Sequence, residues 1–237
     1  MSMELHYFDV LPSTSQTAAA AAKEGAGHLY TVIAARQTAG RGRLQRSFHS
    51  PAGGLYFSTV LRTGLSPLQY GAVTPYAALA VHRAILRVCG VQTGIKWVND
   101  LLLDGKKVCG ILAESGTDKA GKPYLLLGIG INTGDTAFPE ELREIAASLP
   151  CVDKELLLRA VLAELDGIEQ AVLSGEWLEP YRTASVVIGR EVTVIKGESK
   201  TNAEAVDILP SGALLVEHQD GSTEELCVGE ISLRLTQ

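Results

Sequence analysis

Between Arg36 and Arg46 the chain places four arginines within eleven residues, at 36, 41, 43 and 46, interspersed with Gly40 and Gly42. Guanidinium groups bind carboxylates and phosphates bidentately, and glycines let a backbone approach such anions closely. The segment therefore reads as an anion-binding loop; the alternative is a basic loop facing water, the usual fate of a short charge run. Its spacing fits neither a Walker A motif nor G-x-G-x-x-G, so the common nucleotide fingerprints do not account for it.

A second segment, Lys96-Trp-Val-Asn-Asp100, precedes Lys106-Lys107-Val-Cys-Gly-Ile-Leu-Ala-Glu114 across an expected hairpin. A lysine entering a strand is costly to bury without an anion, which makes Lys107 a ligand candidate against the plainer reading of a turn residue facing solvent. Strict alternation puts Lys107 and Gly110 on opposite faces, so both meet one ligand only if Lys107 sits at the strand edge. Asn99-Asp100 reads equally well as a turn bonded to its own backbone. In the third segment, Gly128-Ile-Gly-Ile-Asn132, glycines inside an apolar strand mark close approach by a ligand or by another part of the fold.

The elements that must position these residues follow from periodicity. Ser13 and Gln16 have capping-box spacing ahead of an alanine-rich helix ending near Gly25. Strands are expected over Leu29–Ala35 and Leu55–Leu61, and the long loop between them is of the kind that serves as a binding loop or lid. Ala77, Ala80, Val81, Ala84, Ile85 and Val88 give Pro67–Cys89 a helical stripe. Leu101–Leu103, Val108–Ala113 and Tyr124–Ile131 follow too closely for crossover helices, which predicts an antiparallel meander and disfavours a doubly wound fold. Asp153 is placed to cap a long helix with the stripe Leu158, Val161, Leu162, Leu165, Ile168 and Val172; a shorter helix includes Trp177 and ends at Pro180. Beyond about Ser185, short runs at Glu191–Ile195, Ala203–Leu209, Ala213–Glu217 and Glu230–Leu235 suggest a small barrel or sandwich.

Composition narrows the function classes. With 237 residues, 46% hydrophobic and 20% charged, the chain can bury a core. A net charge of -6 argues against a generic nucleic-acid binder. The longest apolar run, Leu125–Ile131, is far below the ~18 residues of a membrane span. The start, with Glu4 and Asp9, has neither a basic nor an apolar leader region, so a cytoplasmic setting is expected. Cys89, Cys109, Cys151 and Cys227 form no C-x-x-C pair and are expected as thiols, and the five histidines lack zinc-site spacing.

In chain order, Ser13-Thr14, Gln37-x-x-Gly-Arg-Gly-Arg43, Ser50-Pro51, Gly54-Leu-Tyr56, Lys96-Trp-x-Asn-Asp100, Gly105-Lys-Lys107, Gly110-Ile-Leu112, Gly128-x-Gly-Ile-Asn132 and Gly229-Glu-Ile-Ser-Leu233 resemble the biotin-protein ligase family. The resemblance covers essentially the whole chain. Phe48-His49 stands where the family often has Trp before Ser-Pro, Val98 where Pro is usual, and Ser15 where Asn is common. Larger members carry an N-terminal helix-turn-helix domain; here the catalytic-type sequence begins by His6, so a monofunctional form is expected.

The resemblance implies an α+β (mixed α/β) fold: a class II aminoacyl-tRNA synthetase-like catalytic domain over residues 1–185 and a small C-terminal β-barrel over 186–237. It also implies activation of biotin by ATP and Mg²⁺ as biotinyl-5'-AMP, then transfer to a lysine of a biotin carboxyl carrier protein domain. On that basis Lys107 bridges the biotin carboxylate and the α-phosphate, and Arg41 and Arg43 hold the acyl-adenylate, with Gly40 and Gly42 in the same loop. Ser13, Thr14 and Gln37 bond the ureido head beside Ser15 and Gly110. Asp100 orients or deprotonates the acceptor lysine. Trp97, Asn99 and Asn132 lie on the nucleotide side, Asn132 near the phosphates or Mg²⁺, and no metal ligands are assigned. A lipoate-protein ligase is the rival within this chemistry and a DNA-binding regulator the more distant one. The polar set Ser13, Thr14 and Gln37 favours a ureido ring over an apolar head. Residues 38–50 are expected to order over the adenylate, and homodimerisation through the sheet stays open.

Overall fold

The computed structural model describes residues 3–43, 46–134, 136–150, 152–196, 198–227 and 232–235. Cys151 and the Gly229–Ile231 part of the last motif lie outside them.

The apolar runs pair into one seven-stranded sheet. Its strands are β1 (Glu4–Leu11), β2 (Tyr30–Gln37), β3 (Leu55–Leu61), β4 (Gly94–Lys96), β5 (Asp100–Leu103), β6 (Lys106–Thr117) and β7 (Pro123–Ile131), in the order β1-β2-β3-β7-β6-β5-β4. The expected meander is the antiparallel stretch from β5 to β7, and β4, not anticipated, adds a further antiparallel strand beside β5. β1 was not anticipated: it pairs parallel to β2 at the sheet edge and leaves Tyr7, Phe8 and Val10 exposed, so no buried face marks it in the sequence.

Helix α1 (Thr14–Lys23) packs on one face of the sheet against β2, β3 and β7. Helix α2 (Val73–Cys89), entered through a 3-10 turn at Pro67–Ala72, packs on the other face with α3 (Lys154–Asp166). The main core lies between this helical layer and the sheet. Two helix expectations need correction. Ser13 is the N-cap of α1, but its hydroxyl makes no capping hydrogen bond. Asp153 does cap α3, accepting from Leu156 N–H at 3.0 Å, yet the expected long helix breaks at Gly167 and restarts as α4 (Ile168–Ser174). Glycine is a poor interior helix residue, and Tyr76 Oη donates to the Glu164 carbonyl at 2.8 Å near the break.

The helix expected to end at Pro180 instead runs as α5 (Leu178–Ala184), with Pro180 in its first turn, where no i→i−4 donor is required. The C-terminal runs form a five-stranded antiparallel sheet of β8 (Glu191–Lys196), β9 (Ser199–Ile208), β10 (Leu214–His218), β11 (Thr223–Leu226) and β12 (Ser232–Leu235). Among the described residues, β11 and β12 occupy its two edges. β11, absent from the sequence reading, is a short polar Thr-Glu-Glu-Leu run. No helix among the described residues is long and apolar enough to cross a membrane.

Candidate functional site

Three glycines remove the side chains from one patch of the α1 face of the sheet. Gly110 on β6 pairs with Gly130 on β7, and Gly128 lies two residues along the same strand. A Cβ at Gly130 would overlap the Phe48 ring, and one at Gly128 would stand 2.7 Å from Ser15 Oγ. The patch is thus a floor on which the loop after β2 and the start of α1 rest. Above it lies a cavity of about 230 Å³.

The polar end of the cavity is a connected network. Gln37 Oε1 accepts from Thr14 N–H at 2.8 Å and Thr14 Oγ1 at 3.1 Å, while its Nε2 donates to Ser50 Oγ at 2.9 Å. Ser58 Oγ is shared between Thr14 Oγ1 at 2.8 Å and Ser15 Oγ at 3.0 Å. Ser13 Oγ, buried next to this end but outside the cavity lining, has no hydrogen-bond partner. A buried hydroxyl left unpaired is costly, so this end suits a ligand carrying its own donors and acceptors.

The other end is cationic. Arg41, Arg43, Arg46, Lys96 and Lys107 line the cavity against one acid, Asp100, among the described residues. The arginine loop closes on itself as a small hairpin, with Gly42 N–H donating to Arg46 O at 2.8 Å and an Arg41–Ser47 bridge. Arg41 pairs with Glu114 at 3.2 Å. Arg43 Nη1 donates to Asn99 Oδ1 at 3.1 Å, while its Nη2 is buried without a partner. Burial pulls the Arg43 guanidinium below its ordinary range; Asp100 opposes that shift and Arg46 adds to it. The arrangement favours an incoming anion.

Lys107 Nζ lies 2.6 Å from Asp100 Oδ1, a close ion pair that lacks hydrogen-bond alignment, and 5.8 Å from the centre of the Phe48 ring. The lysine reaches this face because β6 is bulged. Leu101 opposes Cys109 but Leu102 opposes Lys107, so Val108 is an extra residue that reverses the alternation. A bulge, rather than a strand edge, removes the parity conflict between Lys107 and Gly110.

Eleven of the expected residues line the cavity: Thr14, Ser15 and Gln37; Arg41, Gly42 and Arg43; Trp97, Asn99 and Asp100; and Lys107 with Gly110. Three do not. Ser13 sits just outside, Gly40 holds the loop base where a Cβ would crowd Ser50 Oγ at 2.6 Å, and Asn132 donates its amide to the Lys107 and Ala147 carbonyls. Asn99 lies in the turn between β4 and β5, but its side chain does not bond that turn; its Nδ2 donates to Ile111 O at 3.0 Å. Trp97 Nε1 donates to Gly212 O in the turn between β9 and β10, at 2.9 Å. The sequence reading assigned no site role to Ser58 or Lys96, and it noted Phe48 only as a departure from the family pattern. Lys96 was visible in its motif, whereas Ser58 looks like one more strand serine.

Among the described residues no group of three or more His, Cys, Asp or Glu side chains is arranged to hold a metal. Mg²⁺ commonly binds through substrate phosphates with one or two protein carboxylates. Among the described residues Asp100 is the lone carboxylate that lines the cavity.

The large mixed sheet followed by a small antiparallel sheet has the class II aminoacyl-tRNA synthetase-like architecture shared by biotin protein ligases. Residues 7–132 match the biotin/lipoate A/B protein ligase family, and residues 187–234 match the biotin protein ligase C-terminal domain. The chain belongs to the biotin/lipoate A/B protein ligase family. It is 41% identical over 163 residues to the bifunctional ligase/repressor BirA of Bacillus subtilis, covering 68% of this chain and 50% of that protein. To the biotin–[acetyl-CoA-carboxylase] ligase of Mycobacterium tuberculosis it is 32% identical over 213 residues, covering 84% of this chain and 77% of the relative. The chain thus spans about half the length of the first of these relatives. The structure of the Aquifex aeolicus biotin protein ligase in complex with biotin and ATP superposes with a TM-score of 0.84 at 28% identity, covering 98% of this chain and 99% of that one.

Proposed function

We propose that this protein is an ATP-dependent biotin–protein ligase that forms biotinyl-5'-AMP and passes the biotinyl group to a lysine of a biotin carboxyl carrier protein domain. The observation that carries the reading is the cavity itself: a hydrogen-bonding end at Thr14, Ser15 and Gln37, and a cationic end lined by Lys107 and by Arg43, whose Nη2 is buried unpaired.

In the first step a biotin carboxylate oxygen attacks the α-phosphorus of ATP, an O–P bond forms, and pyrophosphate leaves. Two anions must meet, so the residues that matter are those that neutralise and align them. Lys107 stands at the junction, Arg43 and Arg41 take the phosphate of the product, and Asn99 fixes Arg43. Trp97 and Asn99 line the nucleotide side. Magnesium carried by the nucleotide would spread the phosphate charge.

In the second step the acceptor amine attacks the acyl carbon, the acyl C–O bond breaks and AMP leaves. The amine has an ordinary pKa of about 10.4 and must lose a proton. Asp100, the one carboxylate lining the cavity among the described residues, takes or directs that proton. The catalytic part is assigned to residues 1–185 and the C-terminal unit to 186–237. A cytoplasmic setting suits the unpaired thiols of Cys89, Cys109 and Cys227. Nucleic acid and membranes are not assigned as partners, and a homodimer through the sheet is compatible with the fold.

The test is intact-mass analysis of a biotin carrier domain incubated with the protein, MgATP, and equal biotin and lipoate, beside an ATP-free control. One ATP-dependent biotinyl adduct is expected. A lipoyl adduct would keep the adenylation chemistry and overturn the assignment of the polar end. No adduct, where an authentic ligase labels the same carrier, would overturn the ligase reading for that carrier.

A further inference from the structure

Ser58 on β3 is fully buried and lies outside the cavity lining, yet its hydroxyl joins two residues that do line it, Thr14 Oγ1 at 2.8 Å and Ser15 Oγ at 3.0 Å. The direction of each bond follows from its neighbours. The Gln37 atom 2.8 Å from the Thr14 backbone N–H must be the amide oxygen, since that N–H can only donate. The Thr14 hydroxyl stands 3.1 Å from the same oxygen and must give it a proton, because two bare acceptors would otherwise face each other. A hydroxyl has a single proton to give, so Thr14 Oγ1 has none for Ser58 and accepts from it. Ser58, its own proton spent, accepts from Ser15. At the far end Gln37 Nε2 donates to Ser50 Oγ at 2.9 Å, and Ser50 Oγ donates to Phe48 O at 2.9 Å. The protons therefore run one way, from Ser15 through Ser58 and Thr14 to Gln37.

We infer that Ser58 is a positioning residue that sets the hydrogen-bonding sense of the cavity: by taking the Ser15 proton it leaves Ser15 Oγ to meet a ligand with lone pairs alone. Ser15 makes no other side-chain hydrogen bond among the described residues, so those lone pairs call for an N–H on the ligand. The second hydrogen of Gln37 Nε2 has no protein partner among the described residues and matches an acceptor. An N–H beside a C=O is the edge of a ureido ring, whereas a dithiolane offers neither. The inference rests on the ligase reading and deepens it: an acid whose head group lacks the N–H is rejected through a residue outside the cavity.

The experiment measures Kd by titration calorimetry of the full chain for biotin and for the pair of cyclic carbamates in which one or the other ureido N–H is replaced by a ring oxygen. Wild type, Ser58→Ala and Ser58→Cys are compared, with thermal melts to establish folding and single-turnover formation of biotinyl-AMP by wild type alongside. In wild type one carbamate is expected to bind roughly 10²-fold more weakly than biotin, because its ring oxygen meets an oxygen with no proton to give. Ser58→Ala frees the Ser15 proton to turn toward the ligand. Biotin should then bind roughly three- to tenfold more weakly, while the ratio between that carbamate and biotin falls to about tenfold or below. Ser58→Cys keeps most of the shape with a weak acceptor in place of the hydroxyl; it is expected to move the ratio in the same direction and serves if Ser58→Ala does not fold. A packing role alone would weaken all the ligands in parallel, and an unchanged ratio in a folded variant would overturn the inference. So would a wild type that binds both carbamates as well as biotin. Wild type that neither binds biotin nor forms the adenylate would overturn the ligase reading and the inference with it, whereas an active wild type with an unchanged ratio in the variants would overturn only the positioning role.

Discussion

Lys107 and Gly110 are three residues apart on one strand yet face the same cavity: a Cβ placed on Gly110 would lie 3.0 Å from both Cε and Nζ of Lys107. The missing side chain leaves the lysine room to cross the strand toward Asp100 on β5, whose backbone pairs with Gly110 itself. Glycine at 110 and the bulge at 108 are therefore two parts of one device, the second aiming the ammonium and the first leaving it space.

Gly110→Ala tests that space. The added methyl meets Lys107 and the Phe48 ring, whose Cε2 would be 2.9 Å away, and both must shift. Overpacking of this kind costs about 1–3 kcal/mol, and 1.4 kcal/mol is tenfold in affinity. Titration calorimetry should show biotin binding weakened roughly tenfold, and a thermal melt a midpoint lowered by a few degrees; unaltered binding would mean that the ligand does not use this part of the floor.

Arg43→Gly removes the one guanidinium that, among the described residues, has a buried, unpartnered nitrogen. The variant is expected still to form the acyl-adenylate but to release it, so that lysines of a bystander protein acquire biotin. Mass spectrometry of that bystander reads the effect. Strict carrier-only labelling would remove Arg43 from adenylate retention.

Loop closure predicts protection. Arg41, Arg43 and Arg46 are trypsin sites on a loop that contacts the floor through Phe48. Biotin with MgATP should slow cleavage after these arginines, because a reactive anhydride is best kept from water under a closed loop. Equal cleavage rates with and without ligands would count against closure.

A separate prediction concerns stability against pH. His82 is buried on α2, with Nδ1 3.0 Å from Thr93 Oγ1, and burial lowers its pKa below the ordinary 6.5. The unfolded chain therefore takes up this proton more readily than the folded one, and stability falls as the pH drops through 6.5 toward the folded value. Across pH 7.5 to 5.5 the melting temperature of His82→Gln should fall less than that of wild type; parallel curves would show that His82 does not contribute to acid sensitivity.

Much of this site is legible in the sequence because its signals are local. Arg36–Arg46, the glycines of β6 and β7, and the closely spaced strands from Leu101 to Ile131 announce a cationic loop over a bare antiparallel sheet. The rest is tertiary. β1 carries exposed apolar residues on a sheet edge and shows no buried face, and the break at Gly167 sits inside a continuous apolar stripe. Whether Asn99 closes a turn or holds Arg43 depends on a partner 56 residues away. The bulge is invisible because Lys-Val-Cys reads as ordinary strand; only the pairing with β5 shows that Val108 is supernumerary.

The bond from Trp97 Nε1 to Gly212 O joins the cavity wall to the C-terminal sheet across 115 residues. Gly212 has φ +86° in a turn pressed so closely on Gly71 that a Cβ would overlap the Gly71 carbonyl. The two family matches, over residues 7–132 and 187–234, suggest interchangeable cassettes. The wedge makes them a matched set: a graft that brought in a foreign C-terminal sheet would also have to reproduce the glycine turn, or strand an indole donor in the wall of the cavity.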